Sequence, residues 1–411
     1  MDDNSFETRL LHTPYGCPDA YHALSMPVYN SAAYEFETAE AMEAAFLGRT
    51  AEHTYSRITN PTVQYFEDRV RAITGSMGVT ALNSGMAAIS NIIMSIGYAG
   101  GNIVTSPCLF GNTYSLFNLT LAAFGVEVRF CDLTNMDEVR TRIDENTFAV
   151  FLEVITNPQL EVVDLKALSV VAQNAGIPLI ADTTVIPFSA FRAKDFGINI
   201  EAVSSTKYIS GGATSVGGLI IDYGTFDWSR SKVLGSWAKS FGPKAFTTRM
   251  RKEIHRNLGA YMTPQVAYMQ TLGLETLSLR FQRQAATCLE LAKRLKTLPQ
   301  IESVNYTGLE DSPYYALSKA QFGPYPGAML TFDLASREVC FAFLNRLKLI
   351  CRATNLFDNK TLIIHPASTI YGTFTEEQRV KMNISPKTIR LSVGLEDVDN
   401  LFSDIKQALS A

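Results

Sequence analysis

The 411-residue chain has only 6 cysteines and 5 histidines, and neither set is grouped. Cys17, Cys108, Cys131, Cys288, Cys340 and Cys351 contain no CxxC pair, which argues against a disulfide framework or a zinc ribbon. The histidines lack metal-ligand spacing, so no metal is expected. Scattered thiols fit a reducing, cytoplasmic setting. No run approaches the roughly 18 apolar residues that span a bilayer. The acidic start, Met1-Asp2-Asp3-Asn4, has no apolar segment behind it and is not expected to be a secretory leader. There is no basic block: the net charge of -4 is spread along the chain, and a nucleic-acid partner is not expected. A nicotinamide-binding dehydrogenase would need a G-x-G-x-x-G turn after its first strand, and none is present. Internal repeats and low-complexity segments are also missing.

What remains is an ordinary globular composition, 46% apolar and 18% charged, on a chain long enough for two domains around a shared cleft. Residues 1–60 carry Pro14, Pro18 and Pro27, and they read as an extended arm with one short helix, Glu37 to Leu47. Residues 61–254 alternate. Helical stretches such as Val63 to Ile73 sit among short apolar runs at Asn102–Thr105, Val126–Phe130, Phe148–Glu153, Pro178–Ala181 and Ala202–Ser204. This pattern predicts a mostly parallel sheet with helices on both faces, an α/β class. Gly217 to Asp222 reads as one more strand, antiparallel to the rest. Residues 255–411 change texture: a long helix at Pro264–Leu298, strands at Ala328–Phe332 and Thr388–Val393, and helices at Arg337–Leu347 and Val398–Leu409. They read as an α+β C-terminal domain.

Chemistry gathers at the ends of the apolar runs. Lys207 follows the run Ile198–Val203 inside Ser204-Ser205-Thr206-Lys207-Tyr208 and precedes the glycine turn Gly211-Gly212. Asp182 closes the run Ile177–Ala181. A lysine at one strand end and an aspartate at another suit pyridoxal 5′-phosphate (PLP): the lysine holds the aldehyde and the aspartate keeps the pyridine nitrogen protonated. Val79 to Ala88 reads as a turn feeding a helix that runs to Ile96. Its start, Ser84-Gly85-Met86, offers free N–H groups and a hydroxyl to a phosphate. On an extended segment, Ser204 and Thr206 would point their hydroxyls to the same side. Phe110 sits beside Gly111 on a strand-to-helix loop, where a ring can stack on a pyridine. Each feature also has an ordinary reading: Ser84 and Asp182 as helix caps, Phe110 as core, Lys207 as a snorkelling surface lysine. Their order and spacing together favour PLP.

From about His22 onward the chain resembles the γ-subfamily of PLP enzymes of cysteine and methionine metabolism, the trans-sulfuration family. That family holds cystathionine γ-synthase, the γ-lyases and O-acetylhomoserine sulfhydrylase. The anchors are Tyr55-Ser56-Arg57-Ile58-Thr59-Asn60-Pro61, Asn83-Ser84-Gly85-Met86-Ala87, Thr156-Asn157-Pro158, Asp182-Thr183-Thr184, Ser204-Ser205-Thr206-Lys207, His365-Pro366-Ala367-Ser368 and Arg390-Leu391-Ser392-Val393-Gly394. The resemblance implies the aspartate-aminotransferase-like fold (fold type I): a mostly parallel seven-stranded sheet with a smaller α+β C-terminal domain. It implies that Lys207 bonds the cofactor and moves protons, and that Asp182 pairs with the pyridinium. It places Ser84, Gly85, Met86, Ser204, Thr206 and Thr184 around the cofactor. Tyr55 and Arg57 resemble a pair that reaches a neighbouring subunit's phosphate, which implies a homotetramer built as a dimer of dimers. Arg390 resembles the clamp for a substrate α-carboxylate, a task that suits a planar guanidinium. Asn157 resembles a residue near the cofactor and that carboxylate. The partners implied are a small amino-acid substrate and a small nucleophile.

Two departures bear on the substrate. Phe110 stands where most of the family has a tyrosine, and phenylalanine has no proton for a leaving group. Acetate departs without one, so an ester such as O-acetyl-L-homoserine is the expected substrate, with Tyr55 or Tyr114 as other possible hydroxyl donors. Asn355 resembles the sulfhydrylase branch rather than the serine of cystathionine enzymes. In contrast, Thr369-Ile370-Tyr371-Gly372 departs from the Thr-Thr-His of well-known sulfhydrylases and leaves the nucleophile open. His365 is read as a loop-structural residue.

Overall fold

The computed structural model describes residues 5–15 and 19–410. The acidic start Met1–Asn4, Cys17 and Pro18 lie outside them. The large sheet has seven strands: β1 (Gly78–Leu82), β2 (Asn102–Thr105), β3 (Glu127–Phe130), β4 (Thr147–Glu153), β5 (Leu179–Asp182), β6 (Ile200–Val203) and β7 (Gly218–Asp222). Their spatial order is β1-β7-β6-β5-β4-β2-β3. Strands β2 to β6 pair in parallel; β7 is antiparallel to both β1 and β6, so six of the seven strands point the same way.

Burial explains the run-like sequences. Every residue of β4 is buried, as in a parallel strand covered on both faces. Alternate side chains enter different cores: Val150 and Leu152 join one, Ala149 and Phe151 the other. The first core continues into the C-terminal part through Leu291, Phe332 and Leu391. There a second sheet holds β8 (Ser303–Asn305), β9 (Met329–Asp333), β10 (Cys351–Arg352), β11 (Leu362–Ile364) and β12 (Thr388–Ser392), in the order β10-β11-β12-β9-β8.

Strand β1 was not expected, since Val79 to Leu82 read as part of a turn. It is a short edge strand whose ladder runs only along β7. The expected helix Pro264–Leu298 is two helices, Pro264–Glu275 and Leu277–Leu295. At the break, Arg280 donates to the Gly273 carbonyl at 2.6 Å and to the Thr276 hydroxyl at 3.1 Å. Gly273 lies so close to the Ile209 carbonyl that a Cβ would stand 2.1 Å from that oxygen. The break therefore seats this helix against the turn that follows Lys207. The N-terminal stretch holds a second short helix, Phe6–Leu11, beside the expected one at Ala39–Phe46. Its Leu10 is buried, and the Leu10 carbonyl accepts from Arg69 Nε at 2.8 Å. Among the described residues no helix is long and apolar enough to cross a membrane.

Candidate active site

A cavity of about 590 Å³ opens where β4, β5 and β6 end and the helix Gly85–Ile96 begins. Ligands bind at such carboxyl edges in open α/β sheets. After β6 the chain folds into a tight turn. The Lys207 N–H donates to the Ser204 carbonyl at 3.1 Å, and the Gly211 N–H to the Lys207 carbonyl at 2.9 Å. Ser204 to Thr206 is therefore not the extended segment that the alternation argument assumed, although both residues line the cavity. Thr206 shares its hydroxyl with Gly217, donating to its carbonyl at 3.2 Å and accepting its N–H at 3.0 Å.

Lys207 is partly buried, and its Nζ donates to Asn355 Oδ1 at 2.8 Å. Burial pushes its ammonium down to about 8; the nearby positive charge of Arg390 adds to this and Asp182 opposes it. Asp182 ends β5 and accepts the Thr184 N–H at 2.9 Å. Burial raises its carboxyl above the ordinary range, with Thr184 and Lys207 pulling it back. The Thr184 hydroxyl accepts the Ser204 N–H at 2.8 Å, which ties the two strand-end turns together.

Ser84 caps the helix, its Oγ accepting the Ala87 N–H at 3.1 Å. Helix geometry leaves the Gly85 and Met86 N–H groups without intrahelical partners. The chain packs tightly here: a Cβ on Gly85 would lie 2.7 Å from the Ser204 side chain, and one on Gly218 only 2.0 Å from the Ser84 carbonyl. Arg390, 2% exposed, also lines the cavity; it donates from Nη1 to Asn157 Oδ1 at 3.0 Å and from Nη2 to the Asn355 carbonyl at 3.5 Å, while its Nε has no partner. Burial lowers this guanidinium to about 10, and among the described residues it makes no ion pair. A buried cation with a spare donor is a built site for an anion.

One cavity thus gathers a near-neutral amine, a strand-end carboxylate, a free helix N-terminus and an unpaired guanidinium. That set fits PLP together with an amino acid. The sequence model of the Cys/Met metabolism PLP-dependent enzymes matches residues 7–410. The chain belongs to that family.

Its relatives agree along the whole length. It is 33% identical to an O-acetyl-L-homoserine sulfhydrylase of Corynebacterium glutamicum, covering 100% of this chain and 98% of the relative. It is 34% identical to an L-methionine gamma-lyase of Fusobacterium nucleatum, covering 95% of this chain and 94% of the other. The crystal structure of a putative O-acetylhomoserine (thiol)-lyase from Campylobacter jejuni superposes with a TM-score of 0.93 at 30% identity. The match covers 99% of this chain and 100% of that one, and that structure contains an N′-pyridoxyl-lysine-5′-monophosphate. The fold is therefore the family's PLP fold type I, and the cofactor is PLP.

Phe110, Asn157, Asp182, Thr184, Ser204, Thr206, Lys207 and Arg390 all line the cavity, with Ser84, Gly85 and Met86. Asn355 meets it through the bond to Lys207. Tyr114 does not line it. Its ring stacks on Phe130, with centroids 4.8 Å apart, and meets Phe374 edge-on. Tyr55 and Arg57 also lie elsewhere: the Arg57 guanidinium sits 5.5 Å over the Tyr55 ring, and Arg57 lines a separate cavity of about 330 Å³. His365 is held on both ring nitrogens, by Ser368 Oγ at 2.9 Å and the Pro386 carbonyl at 2.7 Å, a loop-fastening arrangement.

Glu153 was not singled out in the sequence. It ends β4 directly beside Asp182 of β5 and lines the cavity. Burial and the Asp182 charge raise its carboxyl well above the ordinary range. Its signal was available, because like Asp182 it is an acid closing an apolar run.

Proposed function

We propose that this protein catalyses γ-replacement on O-acetyl-L-homoserine, in which acetate leaves Cγ and a thiol nucleophile, sulfide in the simplest case, takes its place to give homocysteine. The observation that carries an amino-acid substrate is Arg390, buried, without an ion-pair partner among the described residues, and lining the same cavity as Lys207. The sulfhydrylase relatives support the choice of ester. Phe110 supports it too, because its ring has no proton for a poorer leaving group.

PLP, when bound, supplies an electrophilic aldehyde and a ring that accepts electrons. The chain's own groups do the rest. Arg390 and Asn157 receive the α-carboxylate and set the Cα–H bond toward Lys207. Lys207 Nζ, neutral in part at pH 7–8 because of its burial, takes the proton from Cα, and it must hand that proton on before its lone pair is free to take one from Cβ. The Asn355 oxygen aims that amine. Asp182 holds negative charge for the pyridinium nitrogen, with Thr184 fixing the carboxylate. Ser84, Gly85, Met86 and Ser204 take the phosphate. Thr206 joins them only as far as its bonds to Gly217 allow. Phe110 covers the ring.

Tyr55 and Arg57, outside this cavity, serve a neighbouring subunit's phosphate. Residues 1–60 then act as an arm, 61–254 as the cofactor domain and 255–411 as the C-terminal domain of a homo-oligomer, a dimer of dimers. Tyr114 has no place in the chemistry of its own subunit's cavity. The setting is cytoplasmic.

The same residues serve γ-elimination, in which water finishes the reaction as 2-oxobutanoate and ammonia. The likeness to a methionine gamma-lyase makes a γ-lyase on methionine or cystathionine the second reading, ahead of cystathionine γ-synthase. The test is to incubate the holoenzyme with O-acetyl-L-homoserine and sulfide. Homocysteine and acetate in equal amounts are expected, and acetate without homocysteine would remove γ-replacement.

A further inference from the structure

One peptide unit at the cavity wall is gripped at both ends. The Leu109 carbonyl accepts from the Tyr371 hydroxyl at 2.9 Å. Across the same peptide bond, the Phe110 N–H donates to Glu153 Oε1 at 2.6 Å. The same two side chains hold Asn157. Its N–H donates to Glu153 Oε2 at 3.3 Å, and its carbonyl accepts from the Tyr371 hydroxyl at 2.9 Å. Asn157 in turn receives Arg390 Nη1 on its side-chain oxygen. Three separate segments meet here: the loop after β2, the loop after β4 and the segment that follows the short helical turn Pro366–Ser368.

Both side chains are out of solvent, Tyr371 at 0% and Glu153 at 6% exposure. Loop backbone beside a cavity has no ladder to satisfy it, so its donors and acceptors need such partners. A tyrosine has one hydroxyl proton, and two carbonyls converge on it here, so its oxygen holds both loops to a single point.

We infer that Glu153 and Tyr371 are positioning residues, a clamp that sets the Phe110 ring and the Asn157–Arg390 pair in the cavity wall as one unit. This rests on the roles proposed above for Phe110 and Arg390. The clamp makes the fit of the cofactor ring and the fit of the substrate carboxylate rise and fall together. A packing role alone would not do this. Tyr371 also packs with Ala367, Met382 and Ile384, and that contact survives loss of the hydroxyl.

Tyr371→Phe in the holoenzyme separates the two. The readouts are the visible circular dichroism of bound PLP, KM and kcat for O-acetyl-L-homoserine, and the melting temperature. The clamp predicts an altered dichroism band before any substrate is added. It also predicts a KM raised about tenfold, equivalent to one net hydrogen bond of about 1.4 kcal/mol. The change in kcat is expected to stay within about threefold, since binding geometry is lost rather than the proton carrier. Glu153→Gln, which keeps the shape and one acceptor, should move dichroism and KM the same way; if it fails to fold, Tyr371→Phe decides alone. Unchanged dichroism and KM in Tyr371→Phe, with or without a lower melting temperature, would overturn the clamp. Arg390→Lys tells this failure from a failure of the site reading. If KM rises in Arg390→Lys while Tyr371→Phe is silent, the clamp is wrong and the carboxylate site stands. If Arg390→Lys leaves KM untouched, the premise of the clamp goes as well.

Discussion

The carboxyl edge of the large sheet and the stretch from residue 19 to residue 60 both carry groups expected at one cofactor, yet they are built in opposite ways. At the edge, Lys207, Asp182, Thr184, Ser204 and Asn355 are tied to one another within a single chain. In the arm Leu24 is 100% exposed, Tyr21 91% and Tyr55 43%, and Arg57 donates to a backbone carbonyl away from the main cavity. So much apolar surface in one segment is what an interface offers. The lesson is that the edge holds its groups together within one chain, whereas the arm's groups, on the reading proposed above, find their role against a neighbouring subunit.

The largest expected effect breaks the edge. Lys207→Ala should lower turnover by about 10³-fold or more through loss of the proton carrier, and should shift the visible absorption of bound cofactor. Steady-state rates and a spectrum check both. Turnover within tenfold of the wild type would show that the edge is not where the chemistry lies.

Next is Arg390→Leu. It removes a buried charged donor and leaves Asn157 Oδ1 unmatched, so KM should rise about 10²-fold. The retained visible spectrum would show that the cofactor side is intact.

The third effect follows from the lowered Lys207 ammonium. Capture of PLP by the cofactor-free protein needs the neutral amine. Its rate should rise with pH through about 8 and fall about tenfold per unit below that. The stability of the cofactor-free protein carries the same sign. With the folded amine near 8 and its ordinary value at 10.5, the folded state binds fewer protons between those limits, so stability rises as pH climbs from 8 toward 10.5. Stopped-flow absorbance and denaturant titrations across that window read both, and Lys207→Met should abolish both trends.

The smallest effect sharpens the contrast. Arg57→Ala should weaken PLP retention only about tenfold, roughly the worth of one charge-assisted bond, and more so on dilution. Equilibrium dialysis at several protein concentrations measures it. A loss independent of concentration would place Arg57 at its own subunit's site and dissolve the comparison.

The edge was legible because its groups sit where apolar runs stop. Lys207 and Asp182 end runs that burial turns into β6 and β5, and the same burial tunes their ionisation. Glu153 ends a run in the same way. Its weight comes from the β4–β5 register that sets it beside Asp182, which is a tertiary fact. Tyr371 lies in a segment with no periodic pattern, and the carbonyls it holds are 214 and 262 residues away in sequence. The alternation argument for Ser204 and Thr206 failed because β6 ends at Val203 and the chain turns at once. Strand β1 and the two- and three-residue strands β10, β8 and β11 are too short, or too mixed in composition, for a period to show. Tyr114, offered only as another hydroxyl donor, sits on the helix that starts at Gly111, and its ring stacks on Phe130.

The most direct test of the whole account is the release of 2-oxobutanoate by the holoenzyme from L-methionine and from L-cystathionine, set beside homocysteine formation from O-acetyl-L-homoserine and sulfide. Rapid homocysteine formation with little 2-oxobutanoate is the predicted result, because Phe110 gives a departing thiolate no proton. Ready 2-oxobutanoate from either thioether would contradict it and make the protein a γ-lyase.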